Sequence, residues 1–464
     1  MDILIVEDAS RDSEALIRRL PGHNWRIART RDEAAAELML DAPDLVVCDL
    51  RIPSENGGVP HTDHGLAVFD DVRARWPGVP VRILSGHGDI DMVDERLRLA
   101  GGMAGHIKKD NVDQLISYTK ELAAEQTALA AIELDWVGPE LLLEKHDRRL
   151  IQKYACAREA GVVRVRELTE GKSGAITLAL TLIEGPASAS QAVVKLNDRA
   201  EILDEHSRYT AHIADRIAIG AYTPVSECIT SYAGARAGLF YRLADGFEAN
   251  LFDLVREDPE KAAAVVEKIA AATKAWRQVA EPKQITVACV RRMLVRDEVR
   301  LGLLEEAPWS TDELEALEIR ANVCRQHGDL HGENVLVNSD LQPMLIDYGR
   351  SGSATASLDA ITLEMSAVLH PAADLGLNEW LDNGRAEQWP DLDTYVVDCP
   401  IEPFIRACRA WAEQVAVAKR EVVATGYAYA LRQLRYPDDV DTQLAATLSL
   451  GAARALNRSF GNAP

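Results

Sequence analysis

His327-Gly328-Asp329-Leu330-His331-Gly332-Glu333-Asn334-Val335, followed by Ile346-Asp347-Tyr348-Gly349, is the stretch on which the reading of this chain turns. It combines two carboxylates and a carboxamide in a spacing suited to phosphoryl transfer. An aspartate that orients a nucleophilic hydroxyl needs a neighbour that holds metal against phosphate oxygens, and Asn334 follows Asp329 by five residues, as phosphotransferase catalytic loops require. The second metal ligand should return on a short hairpin. Val335 to Val337 reads as one strand, Ser339-Asp340 as the turn and Met344 to Ile346 as the returning strand, which delivers Asp347 to the same cleft.

Upstream, a nucleotide lobe is expected from about Val162. Leu168-Thr-Glu-Gly171-Lys-Ser173-Gly174-Ala-Ile reads as a glycine turn between extended runs, whose amides can approach phosphate oxygens closely. A P-loop would place glycine five residues before Gly171, where Arg166 stands. Gln191-Ala-Val-Val-Lys195-Leu is a β-rich run that holds one cation on a strand. By itself Lys195 reads sooner as a solvated strand-end lysine; its order and distance relative to Asp329 reverse that and favour the phosphate role. The next helical stretch, Arg199 to Ile213, offers Glu201, Asp204 and Glu205 as an ion-pair partner, and Glu205 is the choice made here. Leu239 to Gly246 reads as an apolar strand running into a hinge loop.

HGDLHGENV followed by IDYG resembles the aminoglycoside phosphotransferase and choline kinase branch of the protein-kinase-like superfamily, over roughly Val162 to Pro464. The resemblance implies that Asp329 is the catalytic base, that Asn334 and Asp347 hold Mg²⁺, and that Lys195 meets the phosphates of ATP or GTP. Gly328 departs from ordinary protein kinases, which carry arginine there. His327 and His331 then brace the loop, and Asp359 is a structural aspartate.

At the amino terminus, Ile3-Leu-Ile-Val-Glu7-Asp8 is an apolar strand ending in adjacent carboxylates, which repel unless a cation shares them. Pro43 to Asp49 ends in a third carboxylate, Val81 to Ser85 in a hydroxyl, and Gly105-His-Ile-Lys108-Lys109 in a cation. In a parallel sheet these ends share one carboxyl edge, where open α/β sheets place their chemistry. The segment from Met1 to about Ala123 resembles a response-regulator receiver domain. By that resemblance Asp49 accepts phosphate from a sensor histidine kinase, Glu7, Asp8, Asp49 and the Arg51 carbonyl hold Mg²⁺, and Ser85 and Lys109 contact the phosphoryl group. Three departures are visible. Asp110 stands where proline usually follows the lysine, so that use of Lys108 would shift the register by one. His106 occupies the place of an aromatic switch residue. The stretch from Ser54 to Gly65 is longer than usual; His61, Asp63 and His64 invite a metal reading, but no fourth ligand is near and Gly and Pro mark a solvated loop, a candidate gate.

The expected architecture is multidomain: a doubly wound, flavodoxin-like α/β receiver (1–123), a helical connector (124–160), and an α+β bilobal kinase-like fold (161–464, with lobes dividing near 245). In the connector, Asn111 to Leu134 reads as one long helix and Glu140 to Ala160 as another, serving core packing or dimerisation equally well. At 464 residues the chain exceeds one core. Seven cysteines without CxxC pairs point to a reducing compartment, hence cytoplasm. With the first strand starting at residue 2 and no run approaching the roughly 18 apolar residues needed to span a membrane, neither a signal peptide nor a membrane span is expected. A net charge of −22 argues against DNA as a partner. The expected partners are a histidine kinase, a protein or small-molecule acceptor, and a second copy of the chain in a homodimer. A nucleotide-binding pseudokinase module is the alternative to catalysis.

Overall fold

The structure is a computed structural model, and it describes residues 1–86, 97, 101–170, 175–185, 188–214, 216–218, 220–243, 246–247, 249–278, 280–297 and 311–461. The glycine turn, with Gly171, Ser173 and Gly174, lies outside the described residues.

The amino-terminal strands form a five-stranded parallel sheet in the order Asn24–Ala28, Asp2–Val6, Leu45–Asp49, Val81–Ser85, Ala104–Lys108. Near-continuous Val, Ile and Leu suit strands covered on both faces, and the period of two divides them. Leu4, Val6, Val46, Cys48 and Ile83 meet Leu66, Phe69 and Val72 on one side. Ile3, Ile5, Leu45, Val47, Leu84 and Ile107 meet Leu16, Leu115 and Leu122 on the other. The strand order changes direction between the first and third strands, so Glu7, Asp8 and Asp49 emerge together at the switch point.

A six-stranded sheet follows, in the order Val225–Ile229, Arg236–Arg242, Ser188–Asp198, Ile176–Gly185, Val162–Glu170, Glu133–Trp136. Its last strand corrects the expected long helix. The helix spans Val112–Ala130, and Glu133–Trp136 pairs in parallel with Val162 to Val165, where Ile132, Leu134 and Trp136 join the apolar face of the sheet. Pairing with a distant edge strand outweighs local helix propensity there. The second connector helix is also shorter than expected, Lys145–Cys156, and it lays Leu150, Ile151 and Tyr154 on the same sheet, with the Tyr154 ring stacked on Phe240 at 4.0 Å.

Contacts group the chain into two compact units: Met1–Leu203 with Val225–Arg242, and Asp204–Pro224 with Leu243–Pro464. The first unit therefore contains both sheets. They are joined by Asp44, whose Oδ1 lies 2.7 Å from Lys145 Nζ and 3.0 Å from Arg149 Nη2 while Oδ2 accepts from Asp2 N. A main-chain clasp adds to this: Gly78 N donates to Gly234 O at 2.8 Å and Tyr232 N to Gly78 O at 2.7 Å. A Cβ at Gly78 would sit 2.8 Å from Gly234 O, so the approach requires glycine.

The second unit is mainly helical. Leu358–Leu369 runs through its core, packed against Glu402–Val415 and Lys419–Gln433, with Thr442–Ser459 outside. Two small sheets accompany the helices, one formed by Ala249–Asn250, Val335–Val337 and Pro343–Leu345, the other by Glu281–Thr286, Glu318–Gln326 and Gly352–Thr355. Trp380, Trp389 and Trp411 are all buried. Among the described residues no helix is long and apolar enough to cross a membrane.

Candidate functional site

At the carboxyl edge of the parallel sheet, Lys109 Nζ lies 2.9 Å from Glu7 Oε2 and 2.8 Å from Asp49 Oδ2. Lys108 belongs to the end of the last strand and is exposed, so the lysine that meets the acids is Lys109. Ligand oxygens of Glu7, Asp8 and Asp49 fall within 4.8 Å of one another. Burial, with Asp49 adding to it and Lys109 opposing, pushes Glu7 up to about 7. Burial also raises Asp49, against its hydrogen bond from Lys109. One lysine does not offset three clustered carboxylates, and an all-oxygen donor set with this charge suits a hard divalent cation such as Mg²⁺. Ser85 is buried, and its hydroxyl lies 2.6 Å from His106 Nε2. The residue at the switch position is thus hydrogen-bonded to the serine, which an aromatic hydrocarbon ring could not be.

The long loop beside Asp49 ends earlier than its composition suggested. His61 pairs with Ile52 in an isolated bridge and caps the helix Thr62–Arg75, while His64 Nδ1 is 2.9 Å from Ile52 O. The two histidines are engaged locally.

In the second unit the loop from His327 to Asn334 is held by Asp359, which accepts from His327 N at 2.8 Å and Gly328 N at 2.9 Å. Gly328 adopts φ +81°, and a Cβ would meet Arg350 O at 2.4 Å. Glycine replaces the arginine of ordinary protein kinases because no side chain fits. His327 is fully buried with Nε2 3.0 Å from Ile346 O, and the His331 ring stacks on His370 at 4.4 Å. Asn334 Nδ2 is 2.8 Å from Asp329 O and 3.0 Å from His331 Nε2, which commits its amide nitrogen and leaves Oδ1 as the donor for a cation. Val335–Val337 and Pro343–Leu345 pair as a hairpin, and Ile346 N donates to Asn334 O at 3.1 Å. Asp347 follows with φ +61°, a left-handed conformation rare outside glycine and typical of functional loops.

Asp329 is held by two arginines. Arg432 Nη2 donates to Oδ1 at 2.9 Å and Arg350 Nε lies 3.5 Å from Oδ2. Burial alone would raise Asp329, but Arg432, His331 and Arg350 overcome it and hold the carboxyl at about 2. Neither arginine was apparent in the sequence; Arg432 is 103 residues away on a helix with no motif.

Lys195 lies in the first unit, on the strand Ser188–Asp198 between Thr177 and Leu239. Glu205 lies in the second, buried on the helix Arg199–His212.

Comparison with known proteins finds two families along the chain, the second of which spans parts of both units. Residues 3–120 match the response regulator receiver domain and residues 167–389 the phosphotransferase enzyme family. The chain joins a receiver domain to a domain of the phosphotransferase enzyme family. It is similar to the transcriptional regulatory protein ZraR of Salmonella typhimurium, 26% identical over 148 residues, which is 30% of this chain and 31% of ZraR. It is also similar to the nitrogen assimilation regulatory protein NtrX of Azorhizobium caulinodans, 27% identical over 194 residues, or 41% of this chain and 38% of NtrX. The chain spans about a third of the length of these curated relatives. Among solved structures, it resembles a thermostable aminoglycoside phosphotransferase APH(4)-Ia in ternary complex with ADP and hygromycin B, at 14% identity and TM-score 0.39, covering 67% of this chain and 99% of that one. The receiver domain of Francisella response regulator 1452 is similar at 19% identity and TM-score 0.23, covering 27% of this chain and 97% of that one.

Proposed function

We propose that this chain is a two-component response regulator whose receiver, phosphorylated on Asp49 by a sensor histidine kinase, controls a Mg²⁺-dependent phosphotransferase that moves the γ-phosphoryl group of ATP or GTP to a hydroxyl. The observation that carries the reading is the catalytic loop: Asn334 is tied to the Asp329 main chain at 2.8 Å, and the hairpin that follows returns Asp347. In the reaction Asp329 orients the acceptor hydroxyl and receives its proton. Asn334 and Asp347 would hold Mg²⁺, and Lys195 would grip the phosphates. The metal, when bound, neutralises charge that builds on the phosphate oxygens. In the receiver, Glu7, Asp8, Asp49 and the Arg51 carbonyl would hold the second Mg²⁺, while Lys109 and Ser85 would receive the phosphoryl oxygens.

Control by the receiver is supported by the clasp between Gly78 and Tyr232-Gly234, because the clasped hairpin continues into Arg236–Arg242, the strand paired with the one that carries Lys195. A change in the receiver's population has a main-chain route to the nucleotide lobe. A second reading, a nucleotide-binding pseudokinase that signals without transfer, is favoured by one observation: Asp329, held at about 2 because its arginines and His331 outweigh burial, is a weak base. Seven free cysteines suit a reducing, cytoplasmic setting, and a charge of −22 disfavours DNA as a ligand.

The test is transfer of radiolabelled γ-phosphate from ATP and GTP by the wild type, Asp329→Ala and Asp49→Ala, with and without an acyl-phosphate donor. Transfer lost in Asp329→Ala and modulated only when Asp49 is present is the expected result. Nucleotide binding without turnover, across protein and small-molecule acceptors, would move the assignment to the pseudokinase.

A further inference from the structure

We infer that the acceptor is an alcohol bearing an anionic group, a carboxylate or a phosphate ester, which Arg432 and Arg350 receive beside Asp329. The inference rests on the phosphotransferase reading of this site and names the chemistry of its substrate.

Two guanidinium groups share one carboxylate. Arg432, on the helix Lys419–Gln433, is only 5% exposed, and its Nη2 bonds Asp329 Oδ1 at 2.9 Å. Its Nε is buried and has no hydrogen-bond partner among the described residues. A buried cation with an unmet donor is costly, because a guanidinium gives up several hydrogen bonds to water and regains only part of them. Arg350 approaches the other oxygen of Asp329 at 3.5 Å with its side chain half exposed, so it is free to swing toward an entering group. His331 Nδ1 repeats the pattern two residues from Asp329: its Nε2 faces the Asn334 amide, so Nδ1 carries the proton, and it too is buried without a partner among the described residues.

Around Asp329 itself the two guanidinium groups set two positive charges against its one negative. A fixed site of this kind is complementary to an anion and repels a cation. A polycationic acceptor such as an aminoglycoside would meet both arginines, whereas a carboxylate or phosphate accepts bidentate bonds from a guanidinium. Entry of such a group also divides the arginines between two anions and loosens their hold on Asp329. In the transfer, the hydroxyl oxygen of the acceptor bonds to the γ-phosphorus, the bond from that phosphorus to the bridging oxygen breaks, the nucleoside diphosphate leaves with that electron pair, and the hydroxyl proton passes to Asp329.

The experiment uses the full chain with ATP and Mg²⁺ and four matched alcohols: glycerol, glycerate, glycerol 3-phosphate and 3-amino-1,2-propanediol. Binding is followed by calorimetry and transfer by label. The anionic pair should exceed glycerol by about 10- to 100-fold in affinity and in kcat/KM, the range of a charged hydrogen bond, and the amine should fall below glycerol. Arg350→Met, at a half-exposed position where folding is not at stake, should erase most of that preference by raising KM for the anions far more than for glycerol, while any change in kcat that comes through Asp329 falls on all four alcohols alike; Arg432→Met should do the same, with Arg432→Lys restoring part. Preference for glycerol or the amine, absence of binding by all four, or equal losses of kcat/KM for charged and neutral alcohols in the variants with KM unmoved would overturn the inference, the last by showing that the arginines only position Asp329. Charge-selective binding without transfer would leave the acceptor site standing and remove the phosphotransferase reading instead.

Discussion

Arg149 of the helix Lys145–Cys156 donates to Asp44 of the receiver at 3.0 Å, and both side chains are buried. The pair joins the two sheets of the first unit, with Lys145 as a second and more exposed cation on the same oxygen. Burial alone would raise Asp44, but Lys145, the Asp2 amide and Arg149 hold it below the usual carboxylate range. A depressed folded value means stability that is present at neutral pH and lost as pH falls through that value. Asp44→Asn should leave Arg149 buried without a counter-charge and destabilise the chain by about 2–4 kcal/mol at pH 7, with the deficit shrinking toward pH 3. Urea denaturation at both pH values measures this, and equal midpoints at pH 7 would refute it.

Glu7 carries the opposite sign. Pushed up to about 7 by burial, it favours the protonated form when folded, so without metal its contribution is intact below the unfolded value of 4.5 and declines as pH rises through 7. Glu7→Gln should flatten the fall in stability between pH 5 and 8 in metal-chelating buffer by roughly 2 kcal/mol. Added Mg²⁺ should raise the melting temperature of the wild type more at pH 8 than at pH 6, since the cation competes with the proton. A gain independent of pH would show that Glu7 is not a ligand.

Gly328 sits at φ +81° against Arg350 O. Gly328→Ala should cost more than about 1 kcal/mol in thermal stability, from strain and displaced main chain, and should shift Asp329 enough to lower transfer. Calorimetric melting and label transfer are the measurements; an alanine variant with unchanged turnover would place the catalytic loop elsewhere.

Asp329→Asn keeps the shape and removes the base. Transfer should fall about 100- to 10,000-fold while ATP affinity by isothermal titration stays within a factor of about two. A comparable fall in affinity would assign Asp329 to nucleotide binding.

Much of the candidate site was legible because its chemistry is local. Asp329 and Asn334 lie five residues apart and the hairpin to Asp347 is short, so spacing and turn residues place them without knowledge of the remaining chain. The parallel strands were legible for a related reason: runs such as Ile3 to Val6 and Leu45 to Cys48 are apolar at every position, which only a strand covered on both faces tolerates. The strand Glu133–Trp136 was read as helix because its amino acids are compatible with either state, and the choice is made by an edge of Val162–Glu170 that lies more than twenty residues away.

Sequence by itself determined the spacing of Asp329, Asn334 and Asp347, the order of acids, hydroxyl and lysine along the receiver, and the strand that carries Lys195. Tertiary structure alone decided that Asp44 is shared by Lys145 and Arg149, that His106 meets Ser85, and that Arg432 and Arg350 flank Asp329. The physical reason is range. Backbone periodicity and turn chemistry are written within a dozen residues, whereas an ion pair between residues 103 or 105 positions apart is specified only by the packing that brings their helices together.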